Sequence, residues 1–319
     1  MLKIVFLDAQ TLGSDISLAP VASLGEYVSY PFTRPEEVFE RIKGFDVVIT
    51  NKVWMGKEQI DSSPDLKLIC VAATGTNNVD TAYAASKGIP VKNAVDYSTE
   101  SVTQVTWMHI LNLVGKAAYF DGYVKDGSYS GSGCFTNAAV PFFELRGKTF
   151  GTVGLGNIGS RVAGIARAFG MDVIYYPTSG KPHSDIYEAD TDLRSFLSRC
   201  DVVSVHCPLN ERTKGLIGYG ELSQMKRGSV IVNMGRGGII VESDLARALD
   251  EGLIAGAASD VFTSEPMPSD HPFLKLRHPE RLQLTPHIGW ASREARICLV
   301  GKIAENIVKT FKIHKTIQL

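Results

Sequence analysis

The segment TFGTVGLGNIGSRVAGIARAF, residues 149–169, decides the fold of this chain. Its first five residues are typical of a buried strand, and residues 158–169 place small and apolar side chains on one face of a predicted helix. Gly154 suits the tight turn between them, Gly156 lets the backbone approach a ligand closely, and Gly159 lets the helix pack against the strand. The segment therefore predicts a strand–turn–helix unit of a doubly wound sheet.

The same turn is suited to a dinucleotide, because the start of the helix offers free N–H groups and partial positive charge to phosphates. An acidic residue usually follows about 20 residues after the first glycine and binds the ribose hydroxyls. Here Pro177 stands at that place, after a predicted strand over residues 173–176. A 2′-phosphate would meet no carboxylate there, and Thr178, Ser179 and Lys181 can donate hydrogen bonds or charge to it. The loop holds no arginine, so the sequence favours NADP while leaving NAD open.

Short apolar runs alternate with helical stretches along the chain, which is typical of βαβ units with parallel strands. The further predicted strands are residues 4–7, 47–50, 68–71, 202–206, 230–233, 255–259 and 282–284. The further predicted helices are residues 34–43, 98–117, 242–251 and 292–311. Residues 119–143 are rich in glycine and aromatic residues and show no clear period. We predict an α/β protein with doubly wound parallel sheets.

The composition excludes several classes of protein. A length of 319 residues, at about 150 per domain, predicts two domains. The net charge of −1 gives no sign of binding to nucleic acid or to an anionic membrane. The five cysteines form no CxxC pair, which predicts reduced thiols and no metal site. The apolar run of four at the start is too short for a signal peptide, so we expect a cytoplasmic protein.

Three polar residues follow predicted strands in the second half of the chain: Arg236, Glu265 and His287. Ligands of open α/β sheets bind outside the carboxyl ends of the strands. We therefore expect these three side chains to converge near the dinucleotide.

Four motifs resemble those of the D-isomer-specific 2-hydroxyacid dehydrogenases. They are GLGNIG at 154–159, NMGRGG at 233–238, GAASDVF at 256–262 leading to Glu265-Pro266, and TPHIGWAS at 285–292. The segment GTNNVD at 75–80 extends the resemblance into the first part of the chain. The ending HIGWAS is most similar to the glycerate dehydrogenases, also called hydroxypyruvate or glyoxylate reductases.

The resemblance implies that a hydride passes between a nicotinamide and C2 of a small 2-keto acid, while the carbonyl oxygen gains a proton. His287 suits the role of acid and base, because an imidazole titrates near neutral pH. Glu265 would stabilise the imidazolium and fix its tautomer. Arg236 would present a planar fork that polarises the substrate carbonyl and anchors the carboxylate.

Further contacts are implied for residues elsewhere in the chain. Backbone N–H groups at Thr74 and Gly75 would hold the substrate carboxylate, and Trp290 would lie beside the substrate. The residues expected at the cofactor are Thr106, Gly154, Gly156, Asn157, Ile158, Gly159, Thr178, Ser179, His206, Cys207, Pro208, Met234, Gly235, Arg236, Asp260, His287 and Gly289. We interpret His206 as a wall of the pocket rather than a second acid. The remaining histidines are interpreted as surface or packing residues: His109, His183, His271, His278 and His314.

The resemblance also implies the architecture. A Rossmann domain that binds NAD(P), residues 99–291, would be inserted in a flavodoxin-like substrate domain, residues 1–98 and 292–319, with the substrate in the cleft between them. Residues 119–143 resemble the family's dimerisation segment, which implies a homodimer. Two alternatives stay open: a D-lactate-type or branched 2-keto acid reductase, and a non-catalytic binding protein like the NAD-sensing corepressor that keeps the same three polar residues.

Overall fold

The computed structural model describes residues 1–313, which form two compact units. The first contains Met1–Ser98 together with residues 290–313, and the second contains Thr99–Gly289. The chain returns to the first unit at Trp290, whereas the sequence analysis expects this boundary at residue 292. The assignment of the first unit to the substrate stays a prediction, and His314 lies outside the described residues.

The first unit is built on a parallel sheet. Its strands are β1 (Lys3–Phe6), β2 (Glu26–Ser29), β3 (Val47–Thr50), β4 (Leu68–Val71) and β5 (Val91–Asn93). They pair in the order β2-β1-β3-β4-β5. β3 and β4 are fully buried apolar runs, which is why the sequence predicts them, as it predicts β1. The edge strands β2 and β5 are half-exposed and lack such a run, so the sequence does not predict them.

The second unit is built on a parallel sheet of its own. Its strands are β6 (Thr149–Val153), β7 (Asp172–Tyr176), β8 (Glu188–Ala189), β9 (Val202–Val205), β10 (Val230–Asn233), β11 (Gly256–Ser259) and β12 (Leu282–Leu284). They pair in the order β12-β11-β10-β9-β6-β7-β8. The chain runs outward from β6 to β8 and then returns to the other side of β6. The crevice at the carboxyl ends of β6 and β9 is therefore the place where a doubly wound sheet binds a ligand.

Helices connect the strands of both units. In the described residues they are α1 (Ala19–Ala22), α2 (Val38–Ile42), α3 (Lys57–Asp61), α4 (Thr81–Ser86), α5 (Thr99–Gly115), α6 (Ala117–Lys125), α7 (Ser128–Gly131), α8 (Asn157–Ala168), α9 (Leu193–Arg199), α10 (Tyr219–Leu222), α11 (Glu242–Glu251) and α12 (Arg293–Phe311). Residues 34–43, predicted as one helix, divide into a 3₁₀ turn at Pro35–Glu37 and α2. Within residues 1–313, no helix combines the length and apolar character needed to cross a membrane.

The middle of the chain differs from what the sequence analysis expects. The helix predicted over residues 98–117 ends at Gly115, because Lys116 takes a left-handed φ of +52° before α6 begins. Residues 119–143, which show no clear period in the sequence, include most of α6 and all of α7. The glycines of this segment hide its helical period. It exposes Phe135 and Phe142, and its role in a dimer stays a prediction.

Candidate active site

The glycine turn links β6 to α8 as the sequence predicts. Gly154 has a φ of +89°, which favours glycine, and its N–H donates to the Tyr176 carbonyl at 3.0 Å. A Cβ on Gly159 would lie 2.3 Å from the Gly154 carbonyl oxygen. Any side chain at residue 159 would therefore push the helix away from the turn.

Gly156 has a different role from its two neighbours in the motif. It precedes the first residue of α8, Asn157, and a Cβ built on it would meet no described atom within 4 Å. The open space lies in front of the first turn of the helix, which includes Ile158, and the N-cap residue itself has no side chain to fill it. This cradle, which a side chain would fill, fits the pyrophosphate of a dinucleotide.

The segment His206-Cys207-Pro208 follows β9 and borders the glycine turn. A Cβ on Gly154 would approach the Cys207 backbone to 3.1 Å. His206 Nε2 lies 2.8 Å from Ser204 Oγ, whereas its buried Nδ1 contacts no polar partner in the described part of the chain. Burial lowers the pKa of His206 to about 3. The ring is thus neutral at working pH, which suits a wall of the pocket rather than an acid.

A tight turn follows β7 at the place where the sequence lacks a ribose-binding carboxylate. Gly180 N–H donates to the Pro177 carbonyl at 2.8 Å and closes the turn around Thr178 and Ser179. Pro177 is buried, Thr178 is half-buried and Ser179 is exposed. The two hydroxyl residues predicted at the cofactor thus lie at the carboxyl end of the strand beside the glycine turn.

The structure brings His287 and Glu265 together. His287 Nδ1 lies 2.7 Å from Glu265 Oε2, and the Phe262 N–H donates to Glu265 Oε1 at 3.0 Å. An ionised carboxylate only accepts, so this contact places the hydrogen on Nδ1 and fixes the tautomer. No described residue bonds to Nε2. The pair therefore presents Nε2 as the nitrogen that can exchange a proton with a substrate.

A buried carboxylate shapes the backbone around His287. Asp260, 2% exposed, accepts at Oδ1 from Thr285 Oγ1 and Ile288 N–H, at 2.6 and 2.8 Å, and at Oδ2 from Gly289 N–H at 2.7 Å. His287 N–H donates to the Asp260 carbonyl at 2.8 Å, and the residue has a left-handed φ of +54°. These bonds hold a backbone that a non-glycine residue seldom adopts. Asp260 thus anchors the turn that carries the imidazole, and its predicted contact with the cofactor stays a prediction.

Gly289 is the point where this turn meets Met234, the residue that follows β10. A Cβ there would lie 2.9 Å from Asp260 Oδ2 and 3.0 Å from Met234 Cε. Met234 itself is buried. A side chain at residue 289 would therefore displace the carboxylate that holds His287.

Behind this turn, α5 supplies a histidine whose role the sequence did not reveal. His109 is buried, with Nε2 3.1 Å from Thr285 Oγ1 and Nδ1 3.2 Å from Gln283 Oε1. Burial lowers its pKa, so it stays neutral. Thr106, one helical turn earlier, is fully buried and donates to the Val102 carbonyl at 2.7 Å. The predicted contact of Thr106 with the cofactor stays a prediction.

The turn after β10 carries Arg236. Asn233 holds this turn, since its Nδ2 donates to the Arg236 carbonyl at 3.0 Å and its Oδ1 accepts from Gly235 N–H at 3.1 Å. A Cβ on Gly237 would lie 1.9 Å from the Phe262 carbonyl carbon. The Arg236 turn therefore packs directly on the loop that carries Glu265. Among the described residues, no carboxylate pairs with Arg236, whose Nη1 donates to the Gly235 carbonyl at 2.8 Å.

A second histidine–carboxylate pair braces the loop of Glu265. Glu242 accepts the Thr263 N–H at 2.7 Å with Oε1, and its Oε2 lies 2.9 Å from His271 Nε2. Because His271 Nδ1 accepts from Phe273 N–H at 3.2 Å, Nε2 carries the hydrogen that points to Glu242. Sequence reasoning missed this pair, which joins residues 29 apart and has no linear pattern that could have signalled it.

The predicted substrate residues Thr74, Gly75 and Trp290 belong to the first unit. Thr74 and Gly75 follow β4, and Thr74 Oγ1 donates to the Ala94 carbonyl at 3.0 Å. Trp290 packs edge-on against Tyr97, with ring centroids 6.3 Å apart. Their predicted contacts with a substrate stay predictions.

Comparison with known proteins gives consistent results. The family model described as "D-isomer specific 2-hydroxyacid dehydrogenase, NAD binding domain" matches residues 107–289. The chain is 35% identical to the hydroxypyruvate reductase of Blautia hydrogenotrophica over 98% of this chain and 97% of that protein. It is also 35% identical to the glycerate dehydrogenase of Methylorubrum extorquens, over 96% and 95% of the two chains. The crystal structure of the TT0316 protein from Thermus thermophilus has a TM-score of 0.87 at 28% identity, covering 98% of this chain and 97% of that one.

Proposed function

The chain belongs to the D-isomer-specific 2-hydroxyacid dehydrogenase family, and we propose that it reduces hydroxypyruvate or glyoxylate to the corresponding 2-hydroxy acid. The observation that carries the proposal is the 2.7 Å contact between His287 Nδ1 and Glu265 Oε2. It orients an imidazole so that the other ring nitrogen can serve as a proton donor, on the rim of a sheet that has a dinucleotide cradle.

When bound, the reduced nicotinamide supplies a hydride to C2 of the keto acid. The chain's own residues manage the proton and the charge. His287 Nε2 gives its proton to the carbonyl oxygen, and Glu265 stabilises the imidazolium before transfer and keeps Nδ1 protonated afterwards. The guanidinium of Arg236 presents parallel N–H groups to the carbonyl and the carboxylate of the substrate. In the oxidation direction the neutral imidazole accepts the proton.

A small polar substrate is supported by the similarity of HIGWAS, residues 287–292, to glycerate dehydrogenases and by relatives named hydroxypyruvate reductase and glycerate dehydrogenase. A spectrophotometric panel with hydroxypyruvate, glyoxylate, pyruvate and a bulky 2-keto acid, each with NADH and with NADPH, tests this. We expect the highest kcat/KM with hydroxypyruvate or glyoxylate. A preference for pyruvate or the bulky acid would contradict the proposed substrate, and no turnover at all would contradict the reaction.

NADP is the cofactor that we propose, in preference to NAD. The support comes from Pro177, which stands buried where a carboxylate would exclude a 2′-phosphate, and from the hydroxyls of the turn that follows it. In the same panel, equal efficiency with the two cofactors or a preference for NADH would contradict this part of the proposal.

The coupling between the carboxylate and the imidazole predicts a change in the pH profile of Glu265→Gln. Glutamine still accepts the Nδ1 hydrogen but removes the negative charge that stabilises the imidazolium. Because reduction consumes the proton on Nε2, we expect the alkaline limb of the kcat profile to move to lower pH. The measurement is kcat for reduction across the neutral and alkaline pH range.

The matched control is Glu280→Gln, because Glu280 Oε1 lies 3.3 Å from His278 Nδ1 at an exposed site. It removes a carboxylate beside a histidine without touching the proposed catalytic pair, and we expect the profile of the native enzyme. If the profile of Glu265→Gln also matched the native one, the carboxylate would not govern the protonation of His287.

A further inference from the structure

An arginine from another part of the chain reaches the turn after β7. Arg212 Nη1 donates to the Ser179 carbonyl at 2.9 Å, although the two residues are 33 positions apart. β7 and β9 flank β6 in the sheet, so their loops lie on the two sides of the crevice. The arginine that the sequence of the β7 loop lacks is thus supplied by the loop after β9.

The backbone at Arg212 is fixed in advance. Its N–H donates to Asn210 Oδ1 at 2.9 Å, and the buried Thr213 donates from Oγ1 to the Pro208 carbonyl at 2.6 Å. An asparagine that bonds the backbone two residues on is a stable turn by itself. The backbone of Arg212 is therefore held in place, and the bond to the Ser179 carbonyl holds the guanidinium at the turn.

The guanidinium retains most of its hydrogen-bonding capacity. It has five N–H donors, and the Ser179 carbonyl takes one of them. In residues 1–313, no carboxylate pairs with Arg212 or with Lys181, which follows the same turn. The Arg212 guanidinium thus contacts this short turn, which includes Thr178 and is followed by Lys181. A planar guanidinium fork is suited to a phosphate dianion, and a lysine in the same loop adds positive charge.

The position of this turn indicates which phosphate it would meet. The turn begins one residue after Tyr176, whose carbonyl accepts the Gly154 N–H of the cradle. The same loop returns to the cradle farther on, where His183 Nε2 lies 3.2 Å from the Leu155 carbonyl oxygen. The end of the second strand is the place that meets the adenosine ribose of a dinucleotide. A phosphate there is the 2′-phosphate of NADP.

We propose that Arg212 is the residue that selects NADP, by binding the 2′-phosphate together with Lys181 at the Ser179 turn. This proposal rests on the function proposed above and assigns its cofactor specificity to a residue outside the loop that follows the second strand. Arg212 acts on cofactor binding alone and takes no part in the transfer of the hydride or the proton.

The test is calorimetric titration of the native protein with adenosine 2′,5′-bisphosphate and with adenosine 5′-monophosphate, which differ only in the 2′-phosphate. We expect the native protein to bind the bisphosphate more tightly. Arg212→Gln should weaken the bisphosphate about tenfold or more and change the monophosphate by no more than about twofold, because one charged hydrogen-bond donor is lost. The affinity of Arg212→Lys for the bisphosphate should lie between those of the native protein and Arg212→Gln, since lysine keeps the charge and loses the planar fork.

Lys214→Gln is the matched control, because it removes an exposed positive charge two residues away that lies outside the turn contact. It should leave both affinities unchanged. Equal affinity of the native protein for the two nucleotides would overturn the proposal. So would an Arg212→Gln variant whose affinities for both nucleotides fall equally, or a Lys214→Gln variant that loses as much affinity for the bisphosphate as Arg212→Gln does. If the enzyme still reduces 2-keto acids, such results would leave the proposed reaction intact, whereas failure of that reaction would appear as absent turnover in the substrate panel.

Discussion

His287→Ala is expected to lower kcat for 2-keto acid reduction by roughly 10²–10⁴-fold, because the variant lacks the imidazole Nε2 that gives a proton to the carbonyl oxygen of the substrate. Alanine also removes the imidazole from the Glu265 carboxylate, and that carboxylate cannot replace the imidazole as a proton donor at neutral pH. Affinity for the cofactor should change little, since the glycine cradle is untouched. Steady-state kinetics and direct titration with the reduced cofactor measure the two effects separately.

His278→Ala is the control for this variant. His278 also lies beside a carboxylate, Glu280, but its side chain is 42% exposed and it belongs to none of the motifs of the site. We expect native kcat. A His287→Ala enzyme with near-native kcat would show that another group supplies the proton, and equal losses in both variants would show that the effect is general destabilisation.

Arg236→Lys should lower kcat/KM for the keto acid by roughly 10²-fold, although the charge is retained. The guanidinium can donate in parallel to the carbonyl and the carboxylate of a 2-keto acid, whereas an ammonium offers a single compact centre. The Asn233 side chain holds the turn through the backbone of residue 236, so the substitution should leave the turn in place. The measurement is kcat/KM under steady-state conditions, with thermal denaturation as a check on folding.

Arg194→Lys provides the comparison, since Arg194 is exposed and lies 3.6 Å from Glu221 on the surface. The same replacement there should leave kcat/KM within about twofold of the native value, because exposed ion pairs contribute little. If Arg236→Lys also retained near-native kcat/KM, the bidentate contact with the substrate would be wrong.

The parts of the fold that follow from local sequence are the buried ones. β4 is apolar throughout and β3 and β10 are apolar up to their last residue, and such runs appear where both faces of a parallel strand are covered. The glycine turn is equally local, because Gly154 needs a positive φ and Gly159 needs a close backbone approach. Strand ends then indicated Arg236, Glu265 and His287 as candidates before any contact between them was known.

The parts that the sequence did not reveal depend on contacts between distant residues. Asp260 holds the turn of His287, Glu242 braces the loop of Glu265, and Arg212 reaches Ser179. None of these pairs has a period or spacing that a linear pattern could show, since the tertiary fold alone brings the partners together. The half-exposed edge strands were not predicted for a different reason, because they bury too little apolar surface to require an apolar run in the sequence.

The central claim is that His287 and Glu265 work as a single unit in proton transfer, and a double-mutant comparison of kcat tests it most directly. If Glu265 acts only through His287, adding Glu265→Gln to His287→Ala should change kcat by no more than about twofold, although Glu265→Gln alone lowers kcat at alkaline pH. If the two losses instead multiply in the double variant, the carboxylate acts independently of the imidazole and the account is contradicted.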